Sequence, residues 1–164
     1  MRNFVIAAAL ASLAVATPAL AQDEIQTFAG ARVGVELGVI DDDAFGTDST
    51  TYGFIAGYDF DLGGAVVGAT AGYTDAFDND FGVRELSLSG RVGAKVAPRT
   101  LLYATAGYSN IDADGLPGSF DGVKAGVGLE QSFGRLYGTI ETRYGNYEAG
   151  LEAYQTVVGV GVRF

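Results

Sequence analysis

The sequence contains no cysteine and no histidine. Without cysteine there is no disulfide framework and no thiolate chemistry. Without histidine the commonest general base and the commonest zinc ligand are missing, and a Ser–His catalytic pair cannot be built. Positive charge is scarce: 10 Lys and Arg stand against 20 Asp and Glu, a formal net charge of -10. Such a chain repels phosphates, so nucleic acid is not an expected partner. Long apolar runs are missing too. Beyond residue 21 nothing approaches the roughly 18 consecutive apolar residues of a membrane helix. Yet 48% of the residues are hydrophobic. They must therefore be dispersed along the chain, as the alternation of β-strands disperses them.

The one long apolar run lies at the start. Met1-Arg-Asn is a short basic lead, Phe4 to Val15 is an apolar stretch, and Thr17-Pro-Ala-Leu-Ala21 offers small residues at positions 19 and 21. This is the pattern of a secretory signal peptide. The expected division is a cleaved signal over residues 1–21, a short periplasmic N-terminal segment over 22–29, and one domain over 30–164. Export from a bacterial cytoplasm follows.

From Gly30 onward one theme repeats. Val33, Val35, Leu37 and Val39 alternate with Arg32, Gly34, Glu36 and Gly38. Tyr52, Phe54, Ala56, Tyr58 and Phe60 alternate with Gly53, Ile55, Gly57 and Asp59. Six further stretches do the same, up to the last, in which Tyr154, Val158, Val160, Val162 and Phe164 share one face and Thr156 is the lapse. Successive side chains of a strand point to opposite faces. The chain thus reads as eight strands of about ten residues, the length that crosses a bilayer when tilted. Short turns are expected at Asp61–Gly64, Ala97–Thr100 and Gln131–Arg135. Longer polar loops are expected at 41–50, 74–82, 110–120 and 147–153.

The second face collects Arg32, Glu36, Asp59, Glu85, Arg91, Lys95, Lys124, Glu130, Glu141, Arg143 and Arg163, six cations and five anions. Alternation alone does not say which face is inside. A lipocalin-like barrel would carry such charges outside, over an apolar lining. Two patterns favour the opposite arrangement. With the N-terminus at the periplasmic side, Tyr52, Tyr73, Tyr108, Tyr144 and Tyr154 fall at the upper rim of the apolar face. Phe60 and Phe164, with Tyr58 nearby, fall at the lower rim. Interfacial aromatic girdles of this kind mark membrane barrels. The longer loops, with Asp121 at the base of the sixth strand, are also acidic: they hold Asp41, Asp42, Asp43, Asp48, Asp75, Asp78, Asp80, Asp112, Asp114, Asp121, Glu148 and Glu152 and no Lys or Arg. The basic turn residues Arg99 and Arg135 lie on the other side. An even number of strands, with short turns and longer loops in alternation, completes the signature. The expected fold is all-β: a closed eight-stranded antiparallel up-and-down transmembrane β-barrel.

The closing Val158-Gly-Val-Gly-Val-Arg-Phe164, after a strand with Glu141 and Arg143 on one face and Tyr144 on the other, resembles the small eight-stranded outer-membrane barrels. These include the OmpA membrane domain, OmpX and the opacity-type porin-family surface proteins of Gram-negative bacteria. The resemblance covers Gly30 to Phe164. It implies a place in the cell outer membrane, among its lipids and lipopolysaccharide. It also implies recognition by the outer-membrane assembly machinery, with Tyr154, Val160, Val162 and Phe164 as the assembly signal. No peptidoglycan-binding domain follows, so a tethering role is not implied.

A barrel of eight strands has room inside only for side chains, and enclosed charges must pair. The eleven charges are therefore expected to form a structural network rather than a conduction path or a catalytic site. Asp112-Ala-Asp-Gly115 and Asp78-Asn-Asp80 carry carboxylates that calcium accepts. Neither completes a loop motif, so they read as solvated acidic tips that lipopolysaccharide-bound divalent cations could bridge. No cofactor, metal site or catalytic residue is expected. The expected function is a structural or surface-interaction role with a closed, charge-filled lumen, in a protein that is not an enzyme and is a monomer. The alternatives are a narrow porin-like diffusion channel and, behind it, a lipid-modifying enzyme. The sequence names no external ligand.

Overall fold

The computed structural model describes residues 28–41, 49–77, 83–113, 119–148 and 151–164. The expected signal peptide and its cleavage site before Gln22 lie outside them, as do Asp42, Asp43, Asp48, Asp78, Asp80 and Asp114. Eight strands follow one another: β1 (Gly30–Asp41), β2 (Ser49–Asp61), β3 (Ala65–Ala76), β4 (Val83–Ala97), β5 (Thr100–Ala113), β6 (Ser119–Phe133), β7 (Leu136–Tyr147) and β8 (Leu151–Arg163). Each pairs antiparallel with the next, and β8 returns to pair with β1, so the barrel is closed. Closure leaves no sheet edge, as lipid requires of any spanning sheet.

The register sets the tilt. Cα partners run from Gly34 through Ile55, Gly72, Ser87, Ser109, Gly122 and Tyr147 to Leu151. Gly34 itself faces Gly161, ten residues beyond Leu151. That stagger inclines the strands by roughly 35–45° to the barrel axis. A row of register partners therefore climbs as it circles the barrel. The row Tyr58, Ala69, Gly90, Ala106, Ala125, Tyr144 and Tyr154 leaves the lower end at Tyr58 and reaches the upper end at Tyr144.

The strands outrun the apolar alternation. β6 continues to Phe133, which leaves only Gly134 and Arg135 between it and β7, where the sequence reads a turn from Gln131. β3 reaches Ala76, β5 reaches Ala113 and β6 begins at Ser119, all inside stretches read as loop. At the upper ends the physical reason is that alternation records contact with lipid, whereas the backbone ladder continues past the membrane into water; at the lower end of β6 the outward polar Gln131 interrupts the alternation before Phe133.

Burial is inverted relative to a soluble barrel. Val35, Leu88, Val127 and Val160 point outward and are 47%, 63%, 62% and 63% exposed. Among the described residues twelve polar or charged side chains are buried, against seven apolar or aromatic ones. The continuous apolar surface is on the outside. The lapse at Thr156 is accommodated there, since its hydroxyl lies 3.3 Å from that of its cross-strand partner Thr142. Val157, which breaks the small-or-polar pattern of its face, is buried inside and fills the space left by Gly38.

Candidate functional site

All eleven charged residues singled out from the sequence lie on the inward face. Strand parity puts them there, and glycines beside them make room. A Cβ at Gly126 would stand 2.6 Å from Glu141 Oε1, so only a bare backbone leaves that carboxylate its place.

At the lower level, Asp59 and Glu130 are fully buried and three arginines converge on them. Arg32 Nε and Arg163 Nη1 each lie 2.9 Å from Asp59 Oδ2. Arg163 Nη2 and Arg91 Nη2 each donate to Glu130 at 2.7 Å. Arg32 also donates to Thr70. The Arg91 guanidinium lies 4.3 Å from the centre of the Tyr103 ring, and that of Arg163 lies 5.6 Å from the Tyr137 ring. Cation–π contacts of this kind help hold guanidinium groups that have lost water.

In the middle, Arg143 is forked. Its Nη1 and Nη2 donate to the two oxygens of Glu36 at 2.8 Å each, the bidentate geometry that suits Arg to carboxylates. Its Nε and Nη2 donate to Glu141 at 3.0 and 3.1 Å. Glu141 also accepts from the Tyr103 hydroxyl at 3.0 Å and from Thr105 at 2.8 Å. Above, Glu85 Oε1 accepts from Lys124 Nζ and Ser109 Oγ, both at 2.6 Å.

One inward charge was not read from the sequence. The spacing places Asp61 at the start of a turn. Its Oδ1 does accept from the Gly63 amide at 2.9 Å, as a turn aspartate would. Its Oδ2 takes Lys95 Nζ at 2.5 Å, inside the barrel's lower end. Parity with Asp59, two residues earlier on the same strand, was the available signal. With Asp61 the lumen holds, among the described residues, six cations and six anions, each within 3.0 Å of an opposite partner. A cavity of about 50 Å³ remains between the levels, bordered by Arg32, Thr70, Ser89, Arg91, Glu36 and Arg143. That is room for about three or four waters.

A second inward residue was also missed. Phe28, ahead of β1, has no exposed surface and clusters with Val66, Leu101 and Tyr103.

The rim aromatics lie on the outer face. Tyr144 and Tyr154 have ring centres 5.1 Å apart, and Tyr58 and Phe60 4.9 Å apart. Tyr52 and Tyr73 both donate to Asp75 Oδ2, at 3.3 and 2.9 Å. Tyr108 is exposed on the same face, and Phe133, not singled out before, joins Phe60 and Phe164 at the lower rim. Tyr154, Val160 and Val162 share the outward face of β8, and the exposed Phe164 follows its last residue. Arg84 stands at the upper rim, with Asp75 and Asp112 as its two register partners. Among the described residues no group of three potential metal ligands is assembled.

An apolar exterior between two aromatic girdles, around a lumen of paired charges, defines a transmembrane β-barrel of the bacterial outer membrane. The chain belongs to the family of the outer membrane protein beta-barrel domain, whose model matches residues 6–164. Comparison of the sequence with curated proteins returns no match. Solved structures with the same fold include Ail, the attachment invasion locus protein of Yersinia pestis. It is 15% identical, with a TM-score of 0.63 over 85% of this chain and 100% of that one. The N-terminal β-barrel domain of Pseudomonas aeruginosa OprF is 17% identical, with a TM-score of 0.63 over 83% and 99%. The outer membrane enzyme PagL is 14% identical, with a TM-score of 0.58 over 81% and 99%.

Proposed function

We propose that this protein is a structural or surface-interaction component of the outer membrane whose lumen is closed to solutes. The observation that carries this reading is the pairing of the lumen: twelve charges, six of each sign, each within 3.0 Å of a partner. A conducting pore needs ion sites that bind weakly enough to release. Here the sites that an ion would use are occupied by fixed side chains. In a planar bilayer the refolded protein is expected to give no stable ohmic steps. Steady steps that scale with salt would replace this reading with the second one, a narrow diffusion channel. The cavity beside Arg91 and Arg143 is the feature that favours that second reading.

The likeness to PagL and to Ail is one of fold, and neither an activity nor a ligand is carried over from them. The partners proposed are lipopolysaccharide, at the tyrosine-rich upper rim, and the outer-membrane assembly machinery, along the outward face of β8. Deleting Phe164 should lower the share of the protein that reaches the outer-membrane fraction. An unchanged share would remove the assembly role from that residue.

A further inference from the structure

The lower end of the lumen holds an apolar side chain beside the Lys95–Asp61 pair. Phe28 lies two residues before β1, yet its side chain is fully buried within the barrel. It clusters with Val66 and Leu101, which belong to β3 and β5 on the far side from β1 and β8. The ring therefore reaches across the lower mouth. Two contacts and one backbone conformation hold it there. Arg163 Nη1 donates to the Phe28 carbonyl at 2.8 Å, using the guanidinium that also binds Asp59 and Glu130. Lys95 Nζ lies 5.9 Å from the ring centre while pairing with Asp61. Gly30 has a φ of 106°, a conformation that other L-residues rarely adopt, and a Cβ there would run into the Phe164 carbonyl.

We propose that Phe28 is a stopper for the periplasmic mouth, the mouth on the side of the short turns. It forms, with Val66, Leu101 and Tyr103, an apolar cluster level with the Lys95–Asp61 pair and below Asp59. Apolar constrictions exclude ions because water withdraws from them. The lumen would then be a blind chamber, barred below by the Phe28 ring seated beside the Lys95–Asp61 pair and above by further salt bridges. The consequence for transport rests on the closed-lumen reading. The plug itself does not, and the test keeps the two apart.

Because the chain has no cysteine, a single introduced thiol reports access to one point. Val66→Cys places a thiol in this apolar cluster, and Thr74→Cys places one at the upper end of the same inward face of β3. In detergent micelles the rate of reaction with a small charged thiol reagent is read for each, with and without Phe28→Ala. The expected result is a rise of about tenfold or more at position 66, since a protected thiol reacts only in its opened fraction. No change is expected at position 74. Phe28→Leu, which keeps an apolar plug, should leave position 66 protected. Circular dichroism and the unfolding midpoint show whether each variant is folded. Where Phe28→Ala does not fold, Phe28→Ser and Phe28→Val provide a graded series with the same expected order. Equal rates at position 66 with and without Phe28 overturn the stopper. So does an equal rise at both positions, which signals general loosening. Conductance of the unmodified protein tests the closed-lumen reading separately: steps there sink that reading and leave the thiol comparison standing.

Discussion

Glu130 has no exposed surface and accepts from two arginines on two other strands, each at 2.7 Å. Glu130→Ala removes a carboxylate and leaves Arg91 and Arg163 to share Asp59. Asp59 already holds Arg32, and it lies 3.9 Å from Arg91. The expected cost is about 3–5 kcal/mol, as for other buried pairs broken on one side. Urea unfolding in lipid vesicles measures it, and a midpoint within error of wild type would mean that the arginines are solvated. Glu141→Ala should cost about 3 kcal/mol, toward the lower end of that range, because Arg143 keeps both oxygens of Glu36. The sequence showed which face Glu130 and Glu141 occupy, because parity along a strand is a local property. It did not show their partners. Arg163 of β8 meets Asp59 of β2, with β1 between them. Arg143 of β7 meets Glu36 of β1, with β8 between them. Such contacts depend on closure and stagger, which no local window contains. Phe28 escaped for the same reason: its partners are on β3 and β5.

At the scale of the strand, the outer surface has a depth profile. Val127 sits near the middle of β6 and is 62% exposed, whereas Leu136 opens β7 at the lower rim. An arginine at the bilayer midplane of a barrel costs about 2–4 kcal/mol, falling to about 0–1 near an interface. Val127→Arg should therefore destabilise the folded protein in vesicles by the larger amount, and Leu136→Arg by the smaller. Equal costs at the two sites would mean that β6 and β7 do not cross lipid. The same profile explains which strand limits were legible. Tyr52, Tyr73, Tyr108, Tyr144 and Tyr154 mark where lipid ends, and the alternation below them was readable from spacing alone. The continuation of β5 to Ala113 and the start of β6 at Ser119 lie beyond that level. There both faces meet water, so composition no longer distinguishes a strand from a loop.

For the whole molecule, the balance of six cations and six anions separates the lumen from the rest of the chain, which carries the entire net charge of -10. Two populations of charge should then respond differently to salt. Exposed loop carboxylates are screened when the Debye length shrinks from about 10 Å at 0.1 M to about 3 Å at 1 M. Lumen pairs between side chains such as Arg91 and Glu130, nearly without solvent contact, are screened far less. Raising the salt from 0.1 M to 1 M should therefore leave the unfolding midpoint of the barrel in detergent unchanged or slightly higher, as repulsion among the acidic loops is relieved. A marked fall would show that dissolved ions reach the pairs. The lumen would then be an aqueous path, and the channel reading would follow from the same measurement that removed the closed one.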